Sequence, residues 1–279
     1  MDFTQKLRQA VSSANSVLCV GLDPDPERIP RPLREKFPDE PEMIYEFCKK
    51  IIETTGSEVC AFKPNMAFFE ALGHEGWRVF EEITKLIPSE KIVIADAKRG
   101  DIGNTARKYR EAFFERLQID AITLNPLMGM DTLEPFVHDD EKALFVLTMT
   151  SNGGAADFLQ RRFQGRMSLG EYIAEELSKK QELVNTHLGM VVGATQTESI
   201  QPVLNAHPAS HLLIPGIGAQ GGSPSMLKEA LKHHEGIPVI NSSRAVIYAG
   251  DHEENWIEKV HAKAAEMKES LKLITRRYV

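Results

Sequence analysis

Short apolar runs alternate with longer amphipathic stretches along the whole chain. The apolar runs predict eight strands, at 17–23, 59–65, 91–98, 121–125, 143–150, 188–195, 211–218 and 238–242. Between them, apolar residues recur at the spacing of an amphipathic helix. This alternation predicts repeated βα units on a parallel sheet.

The amphipathic stretches predict a leading helix at 3–13, a long final helix from 255 to about 274, and further helices between the strands. Those helices lie at 41–55, 76–86, 105–117, 130–137, 169–183, 198–205 and 224–233. Eight strands in fewer than about 300 residues favour a parallel (β/α)8 TIM barrel over an open doubly wound sheet of about five or six strands. No linker rich in Pro, Gly or Ser divides the chain. We therefore predict one barrel domain over 1–279, with an extra N-terminal helix.

The amino-acid composition argues against several classes of protein. The 33 Lys and Arg against 40 Asp and Glu give a formal net charge of -7, which argues against general attraction to nucleic acid or anionic lipid. Cys19, Cys48 and Cys60 lie far apart in apolar runs, a usage that favours a reducing cytoplasm over a disulfide framework or a zinc site. The N-terminal residues have no apolar signal core, and no run approaches the ~18 apolar residues of a membrane span.

Polar residues stand at the predicted carboxyl ends of the strands, where the reacting groups of such barrels gather. Alternation with period two places Asp96 and Lys98 on one face of the third strand, and Lys63 adds a second ammonium from the neighbouring strand. With Asp101, these residues make two ammonium and two carboxylate groups, which are costly to bring together unless they pair. Such a cost suggests a function. The competing interpretation is that Asp96 and Lys98 merely pair while Asp101 caps the next helix.

A second group of residues fits a phosphate. The turn at 215–222 is rich in glycine and offers backbone N–H groups, and Arg244 offers a planar guanidinium. Phosphate sites recur after strands seven and eight of such barrels. Taken singly, these features are also consistent with a tight turn and a surface charge, and Asp23 and Ser151 are equally open between binding and turn formation. No metal-ligand spacing or dinucleotide motif is present, so we expect a cofactor-free site without a metal.

The segment 96–105 fits the pattern D-x-K-x-x-D-I-x-x-T at every fixed position. Together with segments 21–23, 62–65, 215–222 and 243–244, it resembles the orotidine 5'-phosphate decarboxylase family, in its bacterial type 2 subgroup, nearly from end to end. The resemblance implies a cytoplasmic homodimer that converts orotidine 5'-phosphate to UMP and CO2. This reaction is the last step of de novo UMP biosynthesis and needs no cofactor.

The resemblance also implies a role for each site residue. Lys98 would be the cationic stabiliser and the proton donor to C6 of the pyrimidine, in an array with Lys63, Asp96 and Asp101. Asp101 and Thr105 would enter the site of the other subunit. The implied substrate contacts are Asp23 with Lys63 for the ribose, Ser151 for the pyrimidine, and Gln220, Gly221, Ser243 and Arg244 for the phosphate end.

The chain departs from the family pattern at two places. The family often has His-Pro-Gly after the equivalent of Ser151 and Gly before the equivalent of Arg244, whereas this chain has Asn-Gly-Gly at 152–154 and Ser243. A backbone N–H can still serve at Ser243. The two longest connections after strands, at 24–39 and 151–168, are candidate active-site loops.

Two other functions remain open. A magnesium-dependent sugar-phosphate aldolase or decarboxylase, similar to hexulose-phosphate synthase or ketogulonate-phosphate decarboxylase, shares D-x-K-x-x-D. Those relatives carry an acidic metal ligand where this chain has Lys63, whose ammonium would repel a divalent cation. A catalytically silent protein that binds a phosphate ligand would have little need for the complete charged array.

Overall fold

The computed structural model describes residues 1–163, 165–193, 197–216, 223–250 and 254–279. Its strands are β1 (Leu18–Leu22), β2 (Ala61–Pro64), β3 (Ile92–Arg99), β4 (Ala121–Leu124), β5 (Ala143–Met149), β6 (Arg162–Phe163), β7 (Met167–Ser168), β8 (His187–Val192), β9 (Leu212–Pro215) and β10 (Pro238–Ser242). Eight of them pair in the closed order β1-β10-β9-β8-β5-β4-β3-β2, while β6 and β7 form a separate antiparallel hairpin. The predicted (β/α)8 barrel is confirmed.

The helices alternate with the barrel strands. They are α1 (Phe3–Ala14), α2 (Arg31–Lys36), α3 (Glu40–Thr55), α4 (Met66–Glu70), α5 (His74–Leu86), α6 (Gly103–Arg110), α7 (Leu169–Gln181), α8 (Thr197–Ala206), α9 (Pro224–Ala230), α10 (Arg244–Ile247), α11 (Trp256–Ser270) and α12 (Lys272–Thr275). The predicted helix before the first strand is α1. Short 3-10 segments lie at Pro26–Arg28, Met130–Phe136 and Gly153–Asp157, and one π-helical segment lies at Glu111–Arg116.

Local sequence explains why these elements form where they do. Every residue of β1 and β4 is buried, as expected for barrel strands that are covered on both sides. In α3, Asp39 caps the first turn by accepting from the Glu42 N–H, and the buried residues of this helix recur at the spacing of one helical face. In α7, Ser168 and Glu171 form a reciprocal capping box.

The chain groups into two compact units. One consists of Met1–Lys6 with Lys98–Ile240, and the other of Leu7–Ala97 with Asn241–Val279. In the first unit β4, β5, β8 and β9 pair in parallel. In the second, β1 pairs with β2 and β2 with β3, again in parallel. One domain over 1–279 stays a prediction.

The main differences from the predicted elements are short helices. The predicted helix at 105–117 is α6 followed by a π-helical segment, and the predicted helix at 130–137 is a 3-10 segment. The helices α2, α4 and α10 were not predicted, because four to six residues are too few to show a helical period. In the described ranges, no helix combines the length and the apolar character that a membrane crossing requires.

Candidate active site

A buried ion pair joins the second and third strands. Lys63 on β2 donates from Nζ to Oδ2 of Asp96 on β3 at 2.6 Å, and the two side chains are only 5% and 11% exposed. The strands are aligned here, because Asn65 forms a parallel bridge with Asp96. Burial alone would lower the pKa of Lys63, but the carboxylates of Asp96 and Asp23 outweigh it and hold that pKa above its ordinary value. Lys63 therefore remains a cation despite its burial.

Asp23 follows β1 and presents an unsatisfied carboxylate oxygen. Its Oδ1 is buried and accepts no hydrogen bond from the described part of the chain. Leaving a buried acceptor unsatisfied costs about 1–3 kcal/mol, so a ligand hydroxyl that donates to it would relieve that cost. The arrangement suits a sugar hydroxyl.

The turn after Asp23 is held by a distant tyrosine. The Tyr248 O–H donates to the Asp23 carbonyl at 2.8 Å and accepts from the Asp25 N–H at 2.6 Å. Burial raises the pKa of the Tyr248 phenol, so it stays protonated and able to donate. The ring stacks on Phe47 at 5.6 Å between centroids, and the guanidinium of Arg28 lies 4.1 Å from its centroid. Tyr248 thus fixes the backbone that carries Asp23.

The residues after β10 lie against β1. A Cβ at Gly21 would lie 1.9 Å from Oγ of Ser243 and 3.0 Å from Oδ1 of Asn241, so glycine alone allows this approach. Nδ2 of Asn241 donates to Oγ of Ser243 at 3.1 Å. Arg244 follows at the start of α10 with an exposed side chain. These contacts bring Ser243 to the strand that leads into Asp23.

Lys98 has a backbone conformation that strand alternation does not predict. Its φ is +47°, in the left-handed region that residues other than glycine adopt rarely. The Lys98 N–H donates to Oγ1 of Thr123 on β4 at 2.9 Å, and the side chain is exposed. Backbone outliers of this kind cost on the order of 1–3 kcal/mol and persist where the surrounding structure fixes them. The period-two argument assumes an extended backbone, so it does not by itself orient Lys98.

The segment from Asp101 to Thr105 lies at the surface of its unit. Oδ1 of Asp101 accepts from the Ile102 N–H at 2.8 Å, and α6 begins only at Gly103 with Ile102 as its N-cap. The interpretation of Asp101 as the helix cap is therefore wrong. Ile102 is 47% exposed, and Thr105 is exposed as well.

Ser151 follows β5 and is packed closely by the residue that follows β8. A Cβ at Gly193 would lie 2.7 Å from both the Ser151 Cβ and its backbone nitrogen, so the absence of a side chain lets the two strand ends meet. The Gly193 N–H donates to the Met149 carbonyl at 2.8 Å. Ser151 is half-buried, and Asn152 beside it is exposed.

Two of the expected site residues, Gln220 and Gly221, lie outside the described residues. Within the described ranges, no group of three His, Cys, Asp or Glu side chains is arranged to hold a metal ion. Among the described residues, the structure brings Lys63 together with Asp96 and Asp23, and Ser243 together with Asn241.

Sequence reasoning missed Tyr248 and Thr123. Tyr248 lies more than two hundred positions along the chain from the turn that it holds, and no local pattern reports such a contact. Thr123 had a signal, since it is a polar residue in the apolar fourth strand, but its partner is a backbone N–H.

Comparison with known proteins matches most of the chain to one family. The model of the Orotidine 5'-phosphate decarboxylase / HUMPS family matches residues 16–258. A protein from Dehalococcoides mccartyi named orotidine 5'-phosphate decarboxylase is 43% identical over 253 residues, which cover 89% of this chain and 90% of that protein. The structure of Leishmania donovani OMP decarboxylase matches with a TM-score of 0.83 and 35% identity, over 99% of this chain and 100% of that one.

A longer protein contains the same fold. The structure of Leishmania donovani UMP synthase matches 99% of this chain with a TM-score of 0.84 and 36% identity, and this chain spans 57% of that longer chain. The family match and the identity to the Dehalococcoides protein both extend over most of this sequence. The chain therefore belongs to the orotidine 5'-phosphate decarboxylase family and is a carboxy-lyase of pyrimidine biosynthesis.

Proposed function

We propose that this enzyme converts orotidine 5'-phosphate to UMP and CO2 without a metal or other cofactor, as the last step of de novo UMP biosynthesis. The observation that carries the proposal is the buried pair of Lys63 and Asp96, with Asp23 close enough to raise the pKa of the lysine. Lys98 follows Asp96 by two residues on β3. A charged network of this kind is costly to bury and therefore marks a site where chemistry needs it.

Lys98 is the proposed stabiliser and proton donor. When the bond between C6 and the carboxylate breaks, its electron pair stays on C6 as a localised carbanion, and CO2 leaves. A fixed ammonium beside C6 stabilises that charge and then gives C6 its proton. The left-handed backbone at Lys98, held by Thr123, supports the proposal because strained residues cluster at reacting groups.

Asp96, Asp101 and Lys63 are proposed to hold Lys98 charged and in place. Nearby carboxylates favour the protonated form of an amine, and they also put negative charge near the leaving carboxylate of the substrate. Lys63 balances Asp96 through its 2.6 Å hydrogen bond. Lys63 also stands where the magnesium-dependent relatives need an acidic ligand, and a buried ammonium there disfavours a divalent cation.

We assign the remaining substrate contacts from the chemistry and burial of the side chains. We assign the ribose hydroxyls to Asp23 and Lys63, because Oδ1 of Asp23 is buried and unsatisfied among the described residues. Ser151 is assigned to the pyrimidine. Ser243 and Arg244 are assigned to the 5'-phosphate, together with Gln220 and Gly221, because a guanidinium and backbone N–H groups suit phosphate oxygens.

A homodimer with shared sites is part of the proposal. In it, Asp101 and Thr105 enter the site of the other subunit. Their segment is exposed and includes Ile102, an apolar side chain that a second subunit would cover. We further propose a cytoplasmic location, because all three cysteines are free and buried, as is usual in a reducing compartment.

The test follows the loss of orotidine 5'-phosphate absorbance with purified protein, with and without EDTA. We expect turnover to UMP that EDTA does not change. Lys98→Ala should lower kcat by more than about a thousandfold, since one residue supplies both charge and proton. Binding of UMP, followed by calorimetry, should largely survive in this variant.

Lys232→Ala, which removes an exposed lysine, is the matched control and should keep the parent kcat. Turnover that EDTA abolishes would favour the metal-dependent sugar-phosphate alternative. UMP binding without turnover in the folded parent would favour a binding protein. Parent-like turnover by Lys98→Ala would overturn the role of Lys98.

A further inference from the structure

The connection between β5 and α7 carries an exposed basic hairpin. Its strands β6 and β7 pair antiparallel, with Arg162 opposite Ser168 and Phe163 opposite Met167. Three arginines lie on it or at its base, and all three are exposed: Arg161, Arg162 and Arg166. We name these three the hairpin arginines.

The base of the hairpin is fixed at the carboxyl end of β5. The Leu169 N–H donates to the Arg161 carbonyl at 3.1 Å, and the Gly170 N–H donates to the Leu159 carbonyl at 2.9 Å. A Cβ at Gly170 would lie 2.7 Å from the Thr148 carbonyl oxygen of β5, so this backbone lies directly on the strand. The hairpin therefore rises from the strand end that also leads into Ser151.

The hairpin arginines are not neutralised. Among the described residues, no carboxylate lies within ion-pair distance of any of the three, in contrast to Lys179, which pairs with both Glu175 and Glu176. Nη1 of Arg162 donates to the Arg166 carbonyl at 2.8 Å, an interaction within the hairpin that does not neutralise the guanidinium. Three positive charges without a carboxylate partner in the described part of the chain thus stand together on a protein whose net charge is -7.

The negative charge of the proposed substrate gives the position of this basic hairpin a functional meaning. A nucleotide with a phosphate and a carboxylate carries between about two and a half and three negative charges at pH 7, because the carboxylate is fully ionised and the second phosphate proton has a pKa of about 6. A protein of net charge -7 repels such a molecule at long range, unless positive charges near the active site produce a local attractive field. The hairpin supplies that field at the end of β5.

We propose that the hairpin arginines steer the anionic nucleotide substrate into the active site. This inference rests on the proposed function, since it takes its anion from that reaction. The arginines attract the substrate before it binds and make no contact with the reacting carbon. Their effect therefore falls on kcat/KM and leaves kcat unchanged, and it fades as salt screens the field, whose range is about 10 Å at 0.1 M ionic strength.

The test compares the parent with the triple variant R161Q/R162Q/R166Q at low and high salt. At low ionic strength we expect kcat/KM of the variant to fall by about threefold to tenfold at unchanged kcat, a modest share of the steering effects seen in charged clefts. At about 0.5 M salt the two enzymes should become equal, because screening removes the attraction. The triple variant R161K/R162K/R166K keeps the charge and should behave as the parent does.

A matched control removes three exposed basic residues outside the loops that follow the strands: R8Q/K232Q/R276Q. It has the same net charge as the glutamine variant of the hairpin but should keep most of the parent kcat/KM. Binding offers a readout without turnover, since the hairpin glutamine variant should weaken UMP but not uridine, which lacks the phosphate.

The outcomes separate this proposal from the proposed function. A parent that does not turn over orotidine 5'-phosphate contradicts the proposed function. A parent that turns over, with an equally efficient glutamine variant at low salt, overturns steering by the hairpin. An equal loss in the glutamine and lysine variants would also overturn it, because the loss would then come from hairpin geometry and not from charge.

Discussion

Two opposing effects act on the ammonium group of Lys63. Burial disfavours its charge, and the carboxylates of Asp96 and Asp23 favour it, with the carboxylates prevailing. A hydrogen bond of 2.6 Å joins Lys63 to Asp96, so removing either residue would take the nearest counter-charge from a buried group. Removing one partner of a buried ion pair costs about 3–5 kcal/mol, so we expect either substitution to destabilise the fold as well as the site.

At the residue scale, Tyr248→Phe tests whether the turn after β1 needs its two hydrogen bonds. The substitution leaves the Asp23 carbonyl and the Asp25 N–H without this partner, at a cost of about 1–2 kcal/mol. Because Asp23 loses its support, we expect KM to rise by up to about fivefold to thirtyfold at nearly unchanged kcat, which is what that cost corresponds to. Steady-state kinetics and thermal melting measure both effects. Tyr172→Phe is the control, since Tyr172 is 48% exposed, and unchanged KM and melting temperature in Tyr248→Phe would contradict the prediction.

At the element scale, the barrel strands were predictable and the details of the site were not. All eight predicted strands overlap observed ones, and the run at 238–242 matches β10 at both ends, because buried strands read as apolar runs. The turn at Lys98 was not predictable, since its positive φ depends on a hydrogen bond to Thr123 from the next strand. The role of Tyr248 depends on a contact across most of the chain. The hydrophobic period of a sequence predicts which residues are buried, but it does not predict hydrogen-bond partners that are distant in the chain.

A stacked pair of histidines connects β8, β9 and α1. The rings of His187 and His211 lie 3.9 Å apart, and Nε2 of His187 accepts the His211 N–H at 2.9 Å. Nε2 of His211 bonds Oγ1 of Thr4 at 3.0 Å, and Phe3 stacks on His187. Burial, followed by the charge of His207, lowers the pKa of His187 to about 3. The packing of these elements therefore requires a neutral His187.

That requirement predicts a pH dependence of stability. Between pH 6.5 and about 3 the unfolded chain binds a proton at His187 that the folded chain does not, so the contribution of His187 is full above pH 6.5 and falls with pH below it. At pH 5 the loss is on the order of 2 kcal/mol. Urea unfolding at pH 7.5 and pH 5 should show a smaller difference for His187→Gln than for the parent. His74→Gln, at a residue 92% exposed, should match the parent, and an equal difference in all three proteins would contradict the prediction.

At the scale of the whole molecule, the charges are distributed unevenly in a way that suits an anionic substrate. The net charge is -7, yet Lys98 near the end of β3, Arg244 at the start of α10 and the hairpin arginines after β5 are all positive. The exposed stretch from Ile102 to Thr105 follows β3. In the proposed dimer, that stretch is buried by a second copy, and each site draws charged residues from two chains. The assembly is then a requirement for catalysis and not only for stability.

Shared sites predict that two inactive variants restore each other. In a hybrid of Lys98→Ala and Asp101→Ala subunits, one site receives both substitutions and the other receives neither. Random exchange makes half of the dimers hybrid, and each hybrid has one intact site of two, so we expect about a quarter of the parent rate from an equal mixture. Either variant alone should stay near its own low rate. Mass spectrometry of subunits that carry different tags confirms the exchange, and an inactive mixture with proven hybrids would show that each site is built from a single chain.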